Sequence, residues 1–138
     1  MKIAIVNGPN LNLIGSREPQ IYGTQSFENY LENLGLKHPN VDFEYFHSNV
    51  DGELINFLQN CQSDGIILNG GGYSHTSVAL RDCVSSINTP VIEVHISNIA
   101  GRESFRHESL LSPVCVGCIF GFGLKGYELA TNYFLSEN

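Results

Sequence analysis

The loop that follows the first apolar run of the chain concentrates side chains that can do chemistry. Residues 3–6 form a short apolar run typical of a strand, and residues 7–23 after it are rich in glycine, proline and side-chain amides. Within this loop Arg17 can bind an anion and Tyr22 can carry a proton. Long loops at the carboxyl end of a strand often hold function in α/β proteins, so we expect a ligand site here.

Two further segments place histidines after strand-like runs. His75 closes a glycine-rich loop, while Glu93 and His95 lie two residues apart at the end of another apolar run, on one side of the expected strand. The glycines would let the backbone approach a ligand closely, although no P-loop pattern is present. A single histidine is usually structural, but His95 shares its expected crevice with His75, Tyr22 and arginines, which favours proton transfer.

Several catalytic classes need residue patterns that this sequence lacks. No two histidines have the spacing of metal ligands on one helix, so we expect no metal site. A G-x-S-x-G motif for a serine nucleophile is also missing from the sequence. What remains is acid–base chemistry on a small anionic keto acid or polyol. Removal of a proton next to a ketone, followed by loss of a hydroxyl group, would use all of these residues.

The charge of the chain narrows the choice of partners. The formal net charge is −7, which argues against nucleic acid and against an anionic membrane surface. Only seven residues are Lys or Arg, and three of them, Arg17, Arg102 and Arg106, lie in segments that follow strands. Scarce guanidinium groups at such positions indicate a small anionic ligand, such as a carboxylate or a phosphate.

Composition is typical of one globular domain spanning residues 1–138. The hydrophobic fraction is 42%, and no apolar run approaches the length of about 18 residues that a membrane span needs. The first strand-like run starts at Ile3, so we expect no signal peptide. Four cysteines are present, Cys61, Cys83, Cys115 and Cys118. All fall in apolar runs, where we expect them to be buried side chains of a cytoplasmic protein.

Hydrophobic periodicity predicts strands that alternate with helices along the chain. The expected strands cover residues 3–6, 41–45, 66–68, 91–94 and 114–120. The expected helices start at Ser26, at Asp51, at Thr76 or Ser77, and after Gly123. Helical crossovers imply a parallel five-stranded sheet, doubly wound in the flavodoxin-like order 2-1-3-4-5. In that order, ligands bind beyond the carboxyl ends of the first and third strands.

Taken together, the motifs closely resemble those of the type II 3-dehydroquinate dehydratases, the dehydroquinases that use no Schiff base. The resemblance rests on I-V-N-G-P-N-L-N-L at 5–13, R-E-P and Y-G within 15–23, H-T-S-V-A-L-R-D at 75–82, E-V-H-I-S-N at 93–98 and F-R-H at 105–107. It implies a flavodoxin-like fold and no cofactor. It also implies dehydration of 3-dehydroquinate to 3-dehydroshikimate by anti elimination through an enolate. That reaction belongs to the shikimate pathway, which leads to chorismate and the aromatic amino acids.

The resemblance also implies roles for individual residues. Tyr22 corresponds to the base that removes a proton from C2, and Arg17 to the cation that lets a phenol act as a base at neutral pH. His95 corresponds to the acid that protonates the departing C1 hydroxyl, with Glu93 and Asn69 orienting the groups around it. Independently of the resemblance, the bounding glycines and low apolar content of the loop from Gly15 to Gly23 predict a lid that closes over the substrate.

Further positions match the family's ligand contacts. Asn10 would hold a water molecule against the enolate oxygen. The substrate-binding positions are Asn69, His75, Ile96, Ser97 and Arg106. Asp82 matches a position that reaches a neighbouring subunit's site, which implies trimers assembling into a homododecamer.

The sequence departs from the family pattern at a few positions, and two other classes of function are open. Gly70, Val50 and Ala100 replace the usual residues near the predicted site, which affects packing more than chemistry. A flavin- or nucleotide-binding module of the same fold is one alternative. A phosphorylation switch is the other, but it requires acidic residues where the chain has Asn7 and Asn69.

Overall fold

A five-stranded sheet in which all paired strands are parallel forms the centre of the molecule. The computed structural model describes residues 1–16, 20 and 25–137. The strands are β1 (Lys2–Asn7), β2 (Asp42–His47), β3 (Gly65–Asn69), β4 (Val91–His95) and β5 (Gly117–Phe120). The helices are α1 (Phe27–Lys37), α2 (Asp51–Asn60), α3 (Val78–Ser86) and α4 (Lys125–Ser136). The strand order is β2-β1-β3-β4-β5, so the predicted flavodoxin-like topology is confirmed.

Helices cover both faces of the sheet, and strand alternation divides the core between them. On β1, Ile3 and Ile5 pack into one cluster with residues of α1 and α4. Ala4 and Val6 point the other way and pack with residues of α2 and α3. Full burial of a Leu or Ile side chain contributes about 1.5–3 kcal/mol, so these two apolar clusters hold the layers together.

Serine side chains mark the starts of two helices, as the sequence predicts. The Oγ of Ser26 accepts a hydrogen bond from the backbone N–H of Asn29, 3.2 Å away, and caps α1. The Oγ of Ser77 does the same for Leu80 N–H at 2.9 Å. Of the two candidates for the start of α3, the cap is therefore Ser77 and not Thr76.

The last strand is shorter than predicted, and the cysteines are less buried. Residues 112–114 form a 3₁₀ turn, and β5 begins only at Gly117. The N–H groups of Val114 and Cys115 donate within this turn, to the carbonyl oxygens of Leu111 and Ser112, so neither joins the strand ladder. Since β5 lies at an edge of the sheet, Cys118 is exposed, and of the cysteines only Cys83 is buried. The expectation that all four cysteines are buried is therefore wrong.

The register of the strands brings three polar strand ends together. Asn7 at the end of β1 pairs with Asn69 at the end of β3, and Leu68 pairs with Glu93 on β4. The carboxyl ends of β1, β3 and β4 therefore meet at one edge, where the sheet's winding reverses. None of the helices that the structure describes is long and apolar enough to cross a membrane.

Candidate active site

A crevice opens beyond the carboxyl ends of β1, β3 and β4. This is the edge at which a doubly wound sheet binds small molecules. The predicted site residues that line it are Asn10, Asn69, His75, His95, Ile96, Ser97 and Arg106. The fold thus joins residues that are up to 96 positions apart in sequence (Asn10 to Arg106, 106 − 10).

A buried acid–histidine pair forms the floor of the crevice. The Nε2 of His95 lies 2.8 Å from the Oε2 of Glu93, whose side chain is fully buried. The same Oε2 accepts a hydrogen bond from the Ser109 hydroxyl at 2.5 Å, and the Oε1 accepts one from the Ser112 hydroxyl. Burial alone would raise the pKa of Glu93, but the hydrogen bonds from His95, Ser109 and Ser112 outweigh it, so the pKa is lowered. Glu93 is therefore ionised at neutral pH.

The two crevice histidines are held with different ring nitrogens free. A carboxylate only accepts hydrogen bonds, so His95 donates through Nε2–H and leaves its Nδ1 for a ligand. His75 donates through Nδ1–H to the carbonyl oxygen of Glu108 at 2.7 Å and leaves its Nε2. The rings stack at 5.8 Å between centroids, and the edge of Phe120 packs against His95 at 5.4 Å.

The backbone of Asn10 adopts an uncommon conformation beside the crevice. Its φ angle is +70°, in the left-handed region that asparagine tolerates better than most residues. The Oδ1 of Asn49 accepts the Asn10 N–H at 2.9 Å, and the Tyr73 hydroxyl donates to the Asn49 carbonyl at 2.7 Å. Sequence reasoning missed Asn49, because its role depends on a contact 39 residues away.

The glycines of the loop after β3 serve loop packing as well as ligand access. A Cβ on Gly8 would lie 2.6 Å from the Gly70 carbonyl oxygen, and one on Gly71 would lie 3.0 Å from the Pro9 carbonyl oxygen. Gly71 also has a φ angle of +57°. Gly71 and Gly72 line the crevice and Gly70 does not, and the close approach of a ligand to this backbone stays a prediction.

Two arginines give the crevice a positive wall. Arg102 and Arg106 both line it, and Glu103 lies beside them. The Nε of Arg106 is 2.5 Å from Glu103 Oε2, and the Nη2 of Arg102 is 3.7 Å from Glu103 Oε1. Guanidinium groups at a crevice wall suit an anionic ligand such as a carboxylate. Arg102 thus joins the predicted site residues.

A buried polar network lies beneath the crevice. Asn69 donates from Nδ2 to the Tyr127 hydroxyl at 3.0 Å, and Tyr127 donates to Asn7 Oδ1 at 2.7 Å. Burial raises the pKa of Tyr127, so its phenol stays neutral. The Oδ1 of Asn69 accepts the Gly71 N–H at 3.1 Å. Sequence reasoning missed this role of Tyr127, because helical spacing does not reveal the partner of a buried hydroxyl.

Three predicted residues are not placed in the crevice. Asp82 lies exposed on α3 and forms an ion pair with Arg81, with Nη1 and Oδ1 2.9 Å apart. Its contact with a neighbouring subunit's site stays a prediction. Arg17 and Tyr22 lie outside the described residues, as does most of the predicted lid. Among the residues that are described, no group of three or more His, Cys, Asp or Glu side chains could hold a metal ion.

Fold and crevice together define a flavodoxin-like α/β protein whose strand-end crevice combines an acid–histidine pair with two arginines. The family described as dehydroquinase class II matches residues 1–135. The chain therefore belongs to the class II dehydroquinase family.

Individual relatives agree with this assignment. The chain is 49% identical to a 3-dehydroquinate dehydratase from Fusobacterium nucleatum, over 98% of this chain and 97% of that protein. It is 51% identical to one from Exiguobacterium, covering 94% and 91%. The crystal structure of a type II dehydroquinase from Butyrivibrio crossotus matches with a TM-score of 0.92 and 44% identity, covering 98% and 97%. One from Propionibacterium acnes matches with a TM-score of 0.93 and 37% identity, covering 98% and 96%.

Proposed function

We propose that this chain catalyses the dehydration of 3-dehydroquinate to 3-dehydroshikimate in the shikimate pathway. Family membership and relatives of about 50% identity support the reaction. The observation that carries the proposal is the buried Glu93–His95 pair, which faces an arginine-lined crevice. It provides a proton donor next to a wall that attracts a carboxylate.

Loss of the C1 hydroxyl is assigned to His95. Ionised Glu93 accepts the Nε2–H of His95 and stabilises the ring as an imidazolium ion, whose second proton is on Nδ1. That proton passes to the hydroxyl oxygen as the C1–O bond breaks, so water leaves instead of hydroxide. The electron pair of the enolate forms the new C1–C2 double bond, conjugated with the C3 ketone.

Formation of the enolate is assigned to Tyr22 on the basis of the family resemblance. A phenol has a pKa of about 10, so Tyr22 needs a neighbouring cation to accept a proton near neutral pH. Arg17, in the same loop, is the proposed cation. Tyr22 would remove a proton from C2, on the opposite face of the ring from the departing hydroxyl, so that the elimination is anti.

The remaining crevice residues would hold the substrate and the enolate charge. The backbone at Ile96 and the Ser97 hydroxyl are suited to the carboxylate, with Arg106 adding positive charge. Asn10 would position a water molecule against the enolate oxygen. His75 presents Nε2 as an acceptor for a ring hydroxyl, because its Nδ1–H is already donated to Glu108.

Assembly and location are further parts of the proposal. We infer a single catalytic domain over residues 1–138 that forms trimers and then a dodecamer, with Asp82 reaching a neighbour's crevice. Support comes from exposed apolar side chains near α3: Val50 is 53% exposed and Val78 is 60% exposed. The two helix starts that carry them are joined by the Ser77–Asp51 hydrogen bond of 2.6 Å. The cytoplasm is the proposed location.

The ultraviolet absorbance of the enone product tests the proposed function. The purified protein should convert 3-dehydroquinate to a conjugated enone, with or without a chelator. Activity should also survive borohydride in the presence of substrate, because the proposed mechanism forms no imine with a lysine. Failure to produce enone, or borohydride inactivation with a substrate-mass adduct on a lysine, would contradict the proposal. His95→Ala serves as the negative control and should form little enone.

A further inference from the structure

We propose that Ser109 and Ser112 are positioning residues of the active site, which keep Glu93 ionised and thereby keep His95 able to donate its proton. The segment that carries them, residues 108–112, is called here the serine arm. The inference deepens the proposed dehydration and rests on it, since the arm acts through the acid–histidine pair rather than on substrate.

The contacts of the serine arm converge on one carboxylate. Ser112 donates to Oε1 of Glu93, and Ser109 donates to Oε2 at 2.5 Å, where His95 Nε2 also binds at 2.8 Å. Both carboxylate oxygens are therefore occupied by hydrogen-bond donors. A buried carboxylate without such donors would favour its neutral form. The two hydroxyls thus stabilise the ionised form of Glu93. Without them, His95 alone would have to stabilise it.

The arm is itself held in place by backbone contacts. The Oγ of Ser109 accepts the N–H groups of Leu111 and Ser112, at 3.1 and 3.3 Å. The Leu110 N–H donates to the Ser74 carbonyl at 2.8 Å, which ties the arm to the glycine loop. The Glu108 carbonyl accepts the Nδ1–H of His75. The same five residues therefore orient both crevice histidines.

Other titratable groups near the carboxylate do not replace the serines. Cys115 and Cys118 lie on the β5 side of Glu93, and burial raises the pKa of Cys115 to about 12 and raises that of Cys118. Both thiols stay neutral in the working range. His75 stacks on His95, and the crevice arginines lie on the ligand side of the pair. Among the described residues, the arm hydroxyls and His95 are the oxygen and nitrogen donors to the carboxylate, and the Cys118 thiol adds a weaker hydrogen bond.

The pH dependence of kcat tests the serine arm. Ser112→Ala removes one donor and should move the acidic limb of kcat to higher pH by about one unit, because Glu93 then takes up a proton more readily. Ser112→Thr keeps a hydroxyl and should restore the wild-type limb. Ser109→Ala should shift the limb in the same direction. Ser104→Ala, an exposed serine outside the arm, is the matched control and should leave the profile unchanged.

A readout without turnover separates this inference from the proposed function. The ¹³C shift of the Glu93 side-chain carboxyl, assigned with Glu93→Gln, should titrate at higher pH in Ser112→Ala than in the wild type. An unchanged titration and an unchanged acidic limb in both folded alanine variants would overturn the role of the arm. A wild-type protein that forms no enone would contradict the proposed function instead, while the carboxyl titration would still decide the role of the arm.

Discussion

The two histidines of the crevice show how hydrogen-bond partners give one residue type two different tasks. His95 faces a carboxylate, which stabilises a positive charge on the ring and suits a proton donor. His75 faces a backbone carbonyl, which fixes the tautomer without adding a negative charge. On this basis we propose His95 as the residue that protonates the substrate and His75 as a hydrogen-bond partner of a substrate hydroxyl.

Tyr22→Phe and His95→Ala should fail in different ways. Tyr22→Phe removes only the group that accepts the proton, so turnover should fall by several orders of magnitude, while a planar enolate mimic should still bind. His95→Ala should lower turnover about a thousandfold, because hydroxide is a poor leaving group. Only His95→Ala should still exchange the C2 hydrogen with solvent after it has lost most of its dehydration activity.

The two variants are compared with His38→Gln, a histidine at the end of α1 and away from the crevice. Enone formation, ligand titration and deuterium exchange followed by NMR are measured on all of them. Near-native dehydration by Tyr22→Phe would show that Tyr22 is not the base.

Glu93 should make the stability of the fold depend on pH. The pKa of this carboxyl is lowered from its ordinary value of 4.5 in the folded state, because the hydrogen bonds from its partners outweigh the effect of burial. Its stabilising contribution is therefore fully present above this ordinary value, which applies to the unfolded state, and is lost as pH falls through the folded value. The difference in unfolding free energy between wild type and Glu93→Gln should be constant above about pH 5 and shrink below about pH 4. Urea unfolding across this range measures it, and a difference independent of pH would contradict the account.

Sequence reasoning found some of these residues and missed others for a physical reason. Glu93 and His95 are two apart on one strand, so the period of the strand alone places them on one side. Ser109 and Ser112 bind the same carboxylate from 16 and 19 positions away, across a turn of irregular structure. Such contacts depend on tertiary packing, which local periodicity does not encode.

Among the structural elements, the loops after β1 and β3 fit against each other with little space between them. Gly8 faces the carbonyl of Gly70, and the Gly8 N–H donates to the Asn69 carbonyl at 2.7 Å. The two loops carry Asn10 and Asn69 to the crevice, so their close packing fixes the distance between site residues.

Gly8→Ala should therefore destabilise the protein by about 2–3 kcal/mol, because the new Cβ would lie 2.6 Å from a backbone oxygen that cannot easily move. Gly72→Ala is the matched control, since a Cβ added there would meet no atom within 4 Å beyond its chain neighbours. It should change stability by less than about 0.5 kcal/mol. Denaturant unfolding compares the two. Equal stability of the two variants would contradict the packing described here.

Helices and strands with clear periodicity are predicted well, and the exception is informative. The start of α1 follows from the Ser26 cap and the apolar spacing after it. The start of β5 does not, because the turn that begins at Ser112 runs into the first residues of the apolar run 114–120. Pro113, just before the predicted strand, was the available signal, since proline is common in turns.

At the scale of the whole molecule, the strand order decides where chemistry can occur. The reversal between β1 and β3 creates the crevice, and β4 beside it delivers the acid–histidine pair. The periodic pattern was sufficient to predict this placement. The subunit arrangement is different in kind, because it depends on surfaces whose partner is another chain.

Assembly should contribute to activity through Asp82. Light scattering should give a mass that is a multiple of the 15.2 kDa protomer, consistent with trimers or a dodecamer. Asp82→Asn should lower kcat/KM without lowering the unfolding temperature, because the side chain is exposed on its own protomer. Asp42→Asn, an exposed aspartate at the start of β2, is the control. A fully active monomer of 15.2 kDa would refute the assembly proposal.

The fate of a deuterium label at C2 of 3-dehydroquinate tests the central claim most directly, because it reports both the reaction and its geometry. Two substrates are compared, one labelled trans to the C1 hydroxyl and one labelled cis to it, and the product is analysed by mass spectrometry. In the proposed mechanism the C2 proton is removed on one face of the ring, and His95 protonates the hydroxyl on the other face. The expected product is therefore an enone that has lost the trans label and kept the cis label. Loss of the cis label, or no enone from either substrate, would contradict the account.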